Sequence, residues 1–174
     1  TILVSHEGLN CFLAGKEEKV RAMLEALRAL EGFKNLGVKE SWSDTVPFKR
    51  FKVKVKKEII RMDHPTIQPA NTRAPAVSPD TLKRWLDQGH DDAGRPVVML
   101  DARNDFEVDQ GRFANAIDWR IAKFTEFPNA VKAHRAELEG KTVVSYCTGG
   151  IRCEKAAIFM NELGLANVFQ LDGG

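Results

Sequence analysis

Apolar and polar residues follow two different patterns along the chain, and the pattern changes near residue 77. Before this point the apolar runs are short and strand-sized, with a single segment of helical spacing. Beyond residue 78, strand-sized apolar runs alternate with helical segments. Such alternation indicates a mainly parallel sheet with helices on both faces. The chain is therefore predicted to fold as two domains of different architecture.

The first domain, residues 1–61, is predicted to be a small basic α+β sandwich of the ferredoxin or acylphosphatase type. The turn Glu7-Gly8-Leu9-Asn10 joins its first two strands, and Gly32 ends its helix. This order lacks an opening strand and helix, so we expect the sequence to be cut at its N-terminus. The predicted elements are strands at 2–5 and 11–14, a helix at 17–30, and strands around 38–42 and 48–60.

The last strand of this domain alternates apolar and basic residues. Phe51, Val53 and Val55 alternate with lysines, which predicts an apolar inner face and a basic outer face. Residues 1–76 hold 14 basic and 9 acidic side chains, whereas residues 77–174 hold 12 and 15. A charge run is usually a solvated face, but this one also suits a nucleic-acid backbone. The candidate nucleic-acid-binding residues, here called the basic stripe, are Lys49, Arg50, Lys52, Lys54 and Lys56.

Residues 62–77 contain three prolines and little apolar periodicity, which predicts an interdomain linker. Ser78-Pro79-Asp80 then supplies a helix N-cap, a proline at the first helical position and an acidic first turn. The second domain spans residues 78–174, and we expect it to be cut at its C-terminus after Gly173-Gly174. After the first helix, which ends at Gly89, strands are predicted at 97–100, 116–119, 142–146 and 168–171, with helices at 105–110, 129–138 and 154–163.

The strand–loop–helix run Val143–Phe159 carries the strongest chemical signal in the chain. Cys147 ends a buried strand and precedes two glycines and a helical stretch. The N–H groups of such a loop and the helix dipole favour negative charge, so they lower the pKa of a thiol. Cys147 is therefore the predicted catalytic nucleophile. The predicted active-site loop also contains Thr148, Gly149, Gly150, Ile151, Arg152 and Cys153.

Several neighbouring residues have more than one interpretation. Arg152 either contributes to the site or clamps a carboxylate, either Asp101 or Glu107. Cys153 is a resolving thiol, a helper, or a small residue that fits the start of the helix. Asp101 and Arg103 end a predicted central strand and are assigned as supporting residues, for which a structural ion-pair network is the simpler interpretation.

Three cysteines, one of them Cys11, form no paired framework, which indicates a reducing compartment and hence the cytoplasm. No CxxC pair or histidine-rich cluster indicates zinc, and no flavin, iron or haem motif is visible. We therefore predict neither a metal nor a resident cofactor. The apolar runs are too short to span a membrane, so no membrane partner is expected.

The second domain resembles the rhodanese family. The matching segments are LDARNDFEVDQGRF at 100–113, AI at 116–117, YCTGGIRCEKA at 146–156 and LDGG at 171–174. Two further segments narrow the resemblance: ILVSHEGLNCFLAG at 2–15 and the proline-rich linker. Together with the loop, they make the chain similar to the rhodanese-domain oxygen-dependent tRNA uridine(34) hydroxylases. This resemblance implies a tRNA partner, hydroxylation of the wobble uridine to 5-hydroxyuridine, molecular oxygen as co-substrate, and Cys147 as the required cysteine.

Three other functions fit parts of the sequence. A rhodanese-like sulfurtransferase would use the same thiolate, with a persulfide on Cys147 and a sulfur donor or acceptor as partner. Cysteine phosphatases resemble rhodaneses but place five residues between cysteine and arginine. In this chain four residues separate Cys147 from Arg152, and the tighter loop favours a sulfur atom over a phosphate as the bound group. A non-enzymatic RNA-binding module with a vestigial site would not need both of these residues.

Overall fold

The computed structural model describes residues 1–174, which form two compact units, Thr1–Lys56 and Lys57–Gly174. This boundary lies before the one predicted from sequence at residue 61. The reason is packing, since Met62, Ile67 and Ala74 are buried in the core of the second unit. Residues 62–77, predicted to be a linker, are thus part of the second unit.

The first unit contains a three-stranded mixed sheet and one helix. Its strands are β1 (Ile2–Ser5), β2 (Gly8–Cys11) and β3 (Val53–Val55), and its helix is α1 (Glu17–Arg28). The central strand β1 pairs antiparallel with β2 and parallel with β3. Ile2 and Leu24 are the buried apolar side chains of this unit. The predicted hairpin and helix are present, but the second strand lies at 8–11 rather than 11–14, so Gly8, Leu9 and Asn10 belong to the strand and not to the turn. The helix ends at Arg28 rather than at residue 30, before Gly32.

Two sequence-based predictions for the first unit are wrong. No strand forms at 38–42, where Trp42 is 75% exposed, and the long strand predicted at 48–60 is reduced to β3. The predicted apolar inner face of this strand is also not buried, because Val53 is 57% and Val55 84% exposed. Alternation in the sequence of β3 therefore did not guarantee that another element covers its apolar face.

The second unit is built on a parallel four-stranded sheet in the order β4-β7-β6-β5. Every residue of β6 is buried, as expected for a central strand of a parallel sheet. Val143 packs in a core with α4 and α5, whereas Val144 packs in a second core with α2, so helices cover both faces as predicted. The elements are β4 (Ala76–Val77), α2 (Pro79–Gln88), β5 (Val97–Asp101), α3 (Asp105–Val108), α4 (Phe127–Ala133), β6 (Thr142–Tyr146), α5 (Ile151–Glu162) and β7 (Val168–Leu171).

The strand predicted at 116–119 is reduced to a single bridge between Ile117 and Leu100. Asn115 and Arg120 have φ values of 58° and 51°, so left-handed residues flank this segment and keep its extended part short. The helix predicted at 129–138 is α4 with a 3₁₀ turn on each side, at Phe124–Glu126 and Arg135–Glu137. No helix of the chain combines the length and the apolar character needed to cross a membrane.

Candidate active site

The candidate site lies in the loop between β6 and α5, at the carboxyl end of the central strand. Gly150 is the N-cap of α5 and has a φ of +86°, a conformation that costs other residues about 1–2 kcal/mol. This left-handed residue turns the chain sharply into the helix, so α5 begins at Ile151 rather than at the predicted residue 154. The turn directs backbone N–H groups toward the end of β6, where Cys147 lies.

The sulfur of Cys147 is surrounded by hydrogen-bond donors. The Gly150 N–H donates to Sγ with an N···S distance of 3.1 Å, and the nearby backbone N–H groups of Gly149 and Cys153 help to lower the pKa of Cys147. The pKa of Cys147 is lowered from 9.0 to about 5, chiefly because the Cys153 thiol donates a hydrogen bond to its sulfur. The charge of Arg152 adds to this effect, and burial opposes it. Cys147 is therefore a thiolate at neutral pH, as the loop sequence predicted.

The second cysteine of the loop has the opposite ionisation behaviour. Cys153 is completely buried in the first turn of α5. Burial raises its pKa, and the hydrogen bond to the Cys147 thiolate raises it further. Cys153 therefore keeps its proton and serves as the donor of the pair.

Arg152 clamps Glu107, one of the two carboxylates considered from sequence. The Arg152 Nη1 and Nη2 atoms donate to the two carboxylate oxygens at 2.5 and 2.7 Å, the bidentate geometry that makes such pairs strong. The Thr148 hydroxyl donates to the same carboxylate at 2.8 Å. Arg152, followed by Thr148, holds the pKa of Glu107 at about 2. The clamp thus fastens both ends of the cysteine loop to α3.

Asp101 and Arg103 form a second, separate ion pair, with 2.7 Å between Arg103 Nη2 and Asp101 Oδ2. The Tyr146 hydroxyl donates to the same carboxylate oxygen at 2.5 Å, and the Arg103 guanidinium lies 5.5 Å from the centre of the Tyr146 ring. Tyr146 directly precedes Cys147, so this pair supports the loop through its neighbour. The tyrosine was not singled out from sequence, although its pairing with Asp101 follows from the register of β5 and β6.

Lys155 is a buried charge on the helix that carries the loop, and sequence analysis did not identify it. Its side chain is 1% exposed, and Nζ lies 2.7 Å from a Glu58 oxygen and 2.8 Å from the Ile60 carbonyl oxygen. Its ion-pair partner is 97 residues away in sequence, so local spacing gave no signal for the pair. The contact fastens the start of the second unit to α5.

Gly174 lies directly against the loop backbone. A Cβ atom added to Gly174 would come within 2.3 Å of the Gly150 nitrogen and 2.8 Å of Gly149 backbone atoms, which excludes any larger residue in this position. Gly174 therefore packs against the backbone of the cysteine loop. All five residues of the basic stripe, which belongs to the first unit, are exposed.

The parallel sheet and its thiolate loop define a rhodanese-like domain. The rhodanese-like family model matches residues 78–174, and the model described as UPF0176 acylphosphatase like domain matches residues 1–59. Proteins named tRNA uridine(34) hydroxylase are similar to the whole chain, and the chain belongs to their family, as its sequence indicated. Those from Delftia acidovorans, Bordetella petrii and Bordetella avium are 67%, 63% and 63% identical, and the chain spans 66%, 69% and 72% of their lengths.

Among solved structures, human single-domain sulfurtransferase TSTD1 is similar to 58% of this chain, over 91% of its own length. It is 23% identical, with a TM-score of 0.46.

Proposed function

We propose that this chain contains the catalytic part of a cytoplasmic enzyme that hydroxylates the wobble uridine of tRNA to 5-hydroxyuridine, with molecular oxygen as co-substrate. The observation that carries the proposal is the Cys147 thiolate, which accepts a hydrogen bond from the Gly150 N–H, in a chain whose relatives bear the name tRNA uridine(34) hydroxylase. The chain spans about two thirds of these relatives' length, so the activity of the whole protein is part of the proposal.

The basic stripe is proposed to bind the tRNA backbone. Its five side chains lie within eight consecutive residues that include no acidic residue, and all are exposed. Each lysine or arginine that neutralises a phosphate releases counterions, so binding by such a stripe weakens as salt rises. Phe48 and Phe51 are 42% and 67% exposed within the same segment and offer rings on which unpaired bases can stack.

The test is mass spectrometry of nucleosides from tRNA in a strain lacking the gene. The full-length wild-type protein should restore 5-hydroxyuridine and its derivatives, whereas Cys147→Ser should not. Charge reversal at Lys52, Lys54 and Lys56 should weaken tRNA binding and flatten its salt dependence. The matched control reverses Lys83, Lys132 and Lys141 in the second unit. Restoration by Cys147→Ser, or unchanged nucleosides in the deletion strain, would refute the proposal.

A second function is favoured by the same loop. An N–H-lined thiolate separated from its arginine by four residues also suits a persulfide on Cys147, the intermediate of a rhodanese-like sulfurtransferase with a small sulfur donor or acceptor. Thiocyanate formation from thiosulfate and cyanide measures this activity. Thiocyanate formation that persists in the Cys147→Ser variant would exclude Cys147 as the sulfur carrier.

A further inference from the structure

We infer that Cys153 is the redox partner of Cys147, and that the two thiols close to a disulfide and so supply the two electrons that hydroxylation by molecular oxygen requires. The electron-supplying role rests on the proposed function. Closure of the disulfide does not, because it depends only on the two sulfurs and the loop between them.

The geometry of the loop brings the two cysteines together. Cys147 follows β6, and Cys153 lies in the first turn of α5, with the left-handed Gly150 between them. The Ser145 hydroxyl on β6 donates to the Cys153 carbonyl oxygen at 3.4 Å, so Cys153 lies beside the strand that ends next to Cys147, and its thiol is the main influence on the ionisation of the Cys147 sulfur. Cys147 is 7% exposed and Cys153 is not exposed at all, so the sulfur–sulfur contact is shielded from solvent.

Other side chains bound to the loop do not offer a comparable source of electrons. Arg152, Thr148 and Glu107 form the clamp, and none of these side chains undergoes reversible two-electron oxidation. The remaining cysteine, Cys11, lies on β2 in the first unit. A buried cysteine is ordinarily an inert apolar residue, but Cys153 makes a polar contact with a thiolate instead.

The proposed reaction balances in atoms and electrons. The O–O bond of molecular oxygen breaks, and one oxygen atom enters the C5–H bond of uracil to give C5–OH. The other oxygen atom leaves as water with the protons of the two thiols. The two sulfurs release two electrons as the Cys147–Cys153 bond forms, and the C–H bond supplies two more. These four electrons reduce molecular oxygen. An external thiol or dithiol then reduces the disulfide by thiol–disulfide exchange and resets the pair.

The first experiment tests the disulfide without tRNA. The fully reduced full-length protein is treated with one equivalent of diamide and mapped by mass spectrometry without reduction. The wild-type protein and Cys11→Ser should both yield the peptide cross-linked between Cys147 and Cys153. Cys153→Ser and Cys153→Ala should instead give Cys147 blocked or oxidised further, and circular dichroism checks that both variants fold. If Cys147 of the wild-type protein is instead blocked or oxidised further and no cross-linked peptide forms, the inference is overturned.

The second experiment tests the coupling to hydroxylation. Reduced full-length protein is mixed with tRNA and oxygen in the absence of external reductant. One disulfide should form for each 5-hydroxyuridine, and Cys153→Ala should lose this stoichiometry. Product formed while both thiols remain reduced would overturn the inference and leave the proposed function intact. A protein that closes the disulfide with diamide but makes no product would instead refute the proposed function, and with it the coupling.

Discussion

Glu107 fastens the cysteine loop while leaving a positive charge beside Cys147. Its carboxylate accepts hydrogen bonds from Arg152 and Thr148, and its pKa is about 2. A lowered carboxyl pKa stabilises the fold above the pKa of the unfolded chain, and this stabilisation disappears only as the pH falls toward 2. The clamp is therefore fully formed at the pH near 5 at which Cys147 ionises. Positioning of the loop and ionisation of the thiol are thus separable.

Replacement of Glu107 by glutamine should separate these two roles. We expect Glu107→Gln to lower the free energy of unfolding by about 1–3 kcal/mol, because charge-assisted hydrogen bonds are lost. The pKa of Cys147 should stay near 5 or fall, since Arg152 loses its counter-charge. Denaturant unfolding measures the first effect, and the ultraviolet absorbance of the thiolate against pH, relative to Cys147→Ser, measures the second.

Glu17→Gln, which breaks an exposed ion pair with Arg21 in the first unit, is the matched control and should change neither quantity. A pKa of Cys147 that rises by a full unit in Glu107→Gln would show that the clamp itself sets the ionisation of the thiol.

At the scale of elements, the cysteine loop depends on one left-handed residue between β6 and α5. Gly150 caps the helix and donates to the Cys147 sulfur from a φ of +86°. Gly149 is not in this region, and a Cβ atom added there would meet no atom within 4 Å. The two adjacent glycines therefore form a matched pair, of which only Gly150 is required by the backbone conformation.

Gly150→Ala should destabilise the protein by about 1–2 kcal/mol, because alanine is strained in the left-handed region. Relaxation of that strain should move the N–H away from the sulfur and raise the pKa of Cys147. Gly149→Ala should leave the stability unchanged or raise it by up to about 1 kcal/mol, because it restricts the unfolded chain. Thermal unfolding and thiolate titration of both variants test this contrast, and equal effects of the two substitutions would contradict it.

In the second unit, sequence predicted best the two inner strands of the parallel sheet. The strands β6 and β7 have the predicted bounds, because a short, mainly apolar run between glycine-containing segments leaves few other structures for such a segment. The segments 38–42 and 116–119 were predicted as strands from local composition alone, but a strand also requires a ladder partner. The acidity of Cys147 followed from the loop sequence, whereas its contact with Cys153 depends on the conformation of Gly150.

At the scale of the whole molecule, an ion pair between the buried Lys155 and the partly buried Glu58 links the start of the second unit to the helix that carries the site. Glu58 accepts hydrogen bonds from the backbone N–H groups of Met62 and Asp63 as well as from Lys155. Sequence could not predict this pair, since its energy comes from the exclusion of water around residues far apart in the chain. Buried ion pairs contribute little net stability but are costly to break from one side. Lys155 is therefore expected to determine how residues 57–63 pack on α5.

Replacement of Lys155 by methionine should lower the free energy of unfolding by about 3 kcal/mol, because the partly buried charge of Glu58 loses its cationic partner. Glu58→Gln in the Lys155→Met background should recover part of this loss, since a neutral amide still accepts the backbone hydrogen bonds. Urea unfolding of both single variants and the double variant gives the coupling between the two residues. Lys83→Met, which removes an exposed lysine from α2, is the control and should have no measurable effect. A loss in Lys155→Met no greater than in this control, or a double variant less stable than either single one, would show that the pair does not hold residues 57–63 on the site helix.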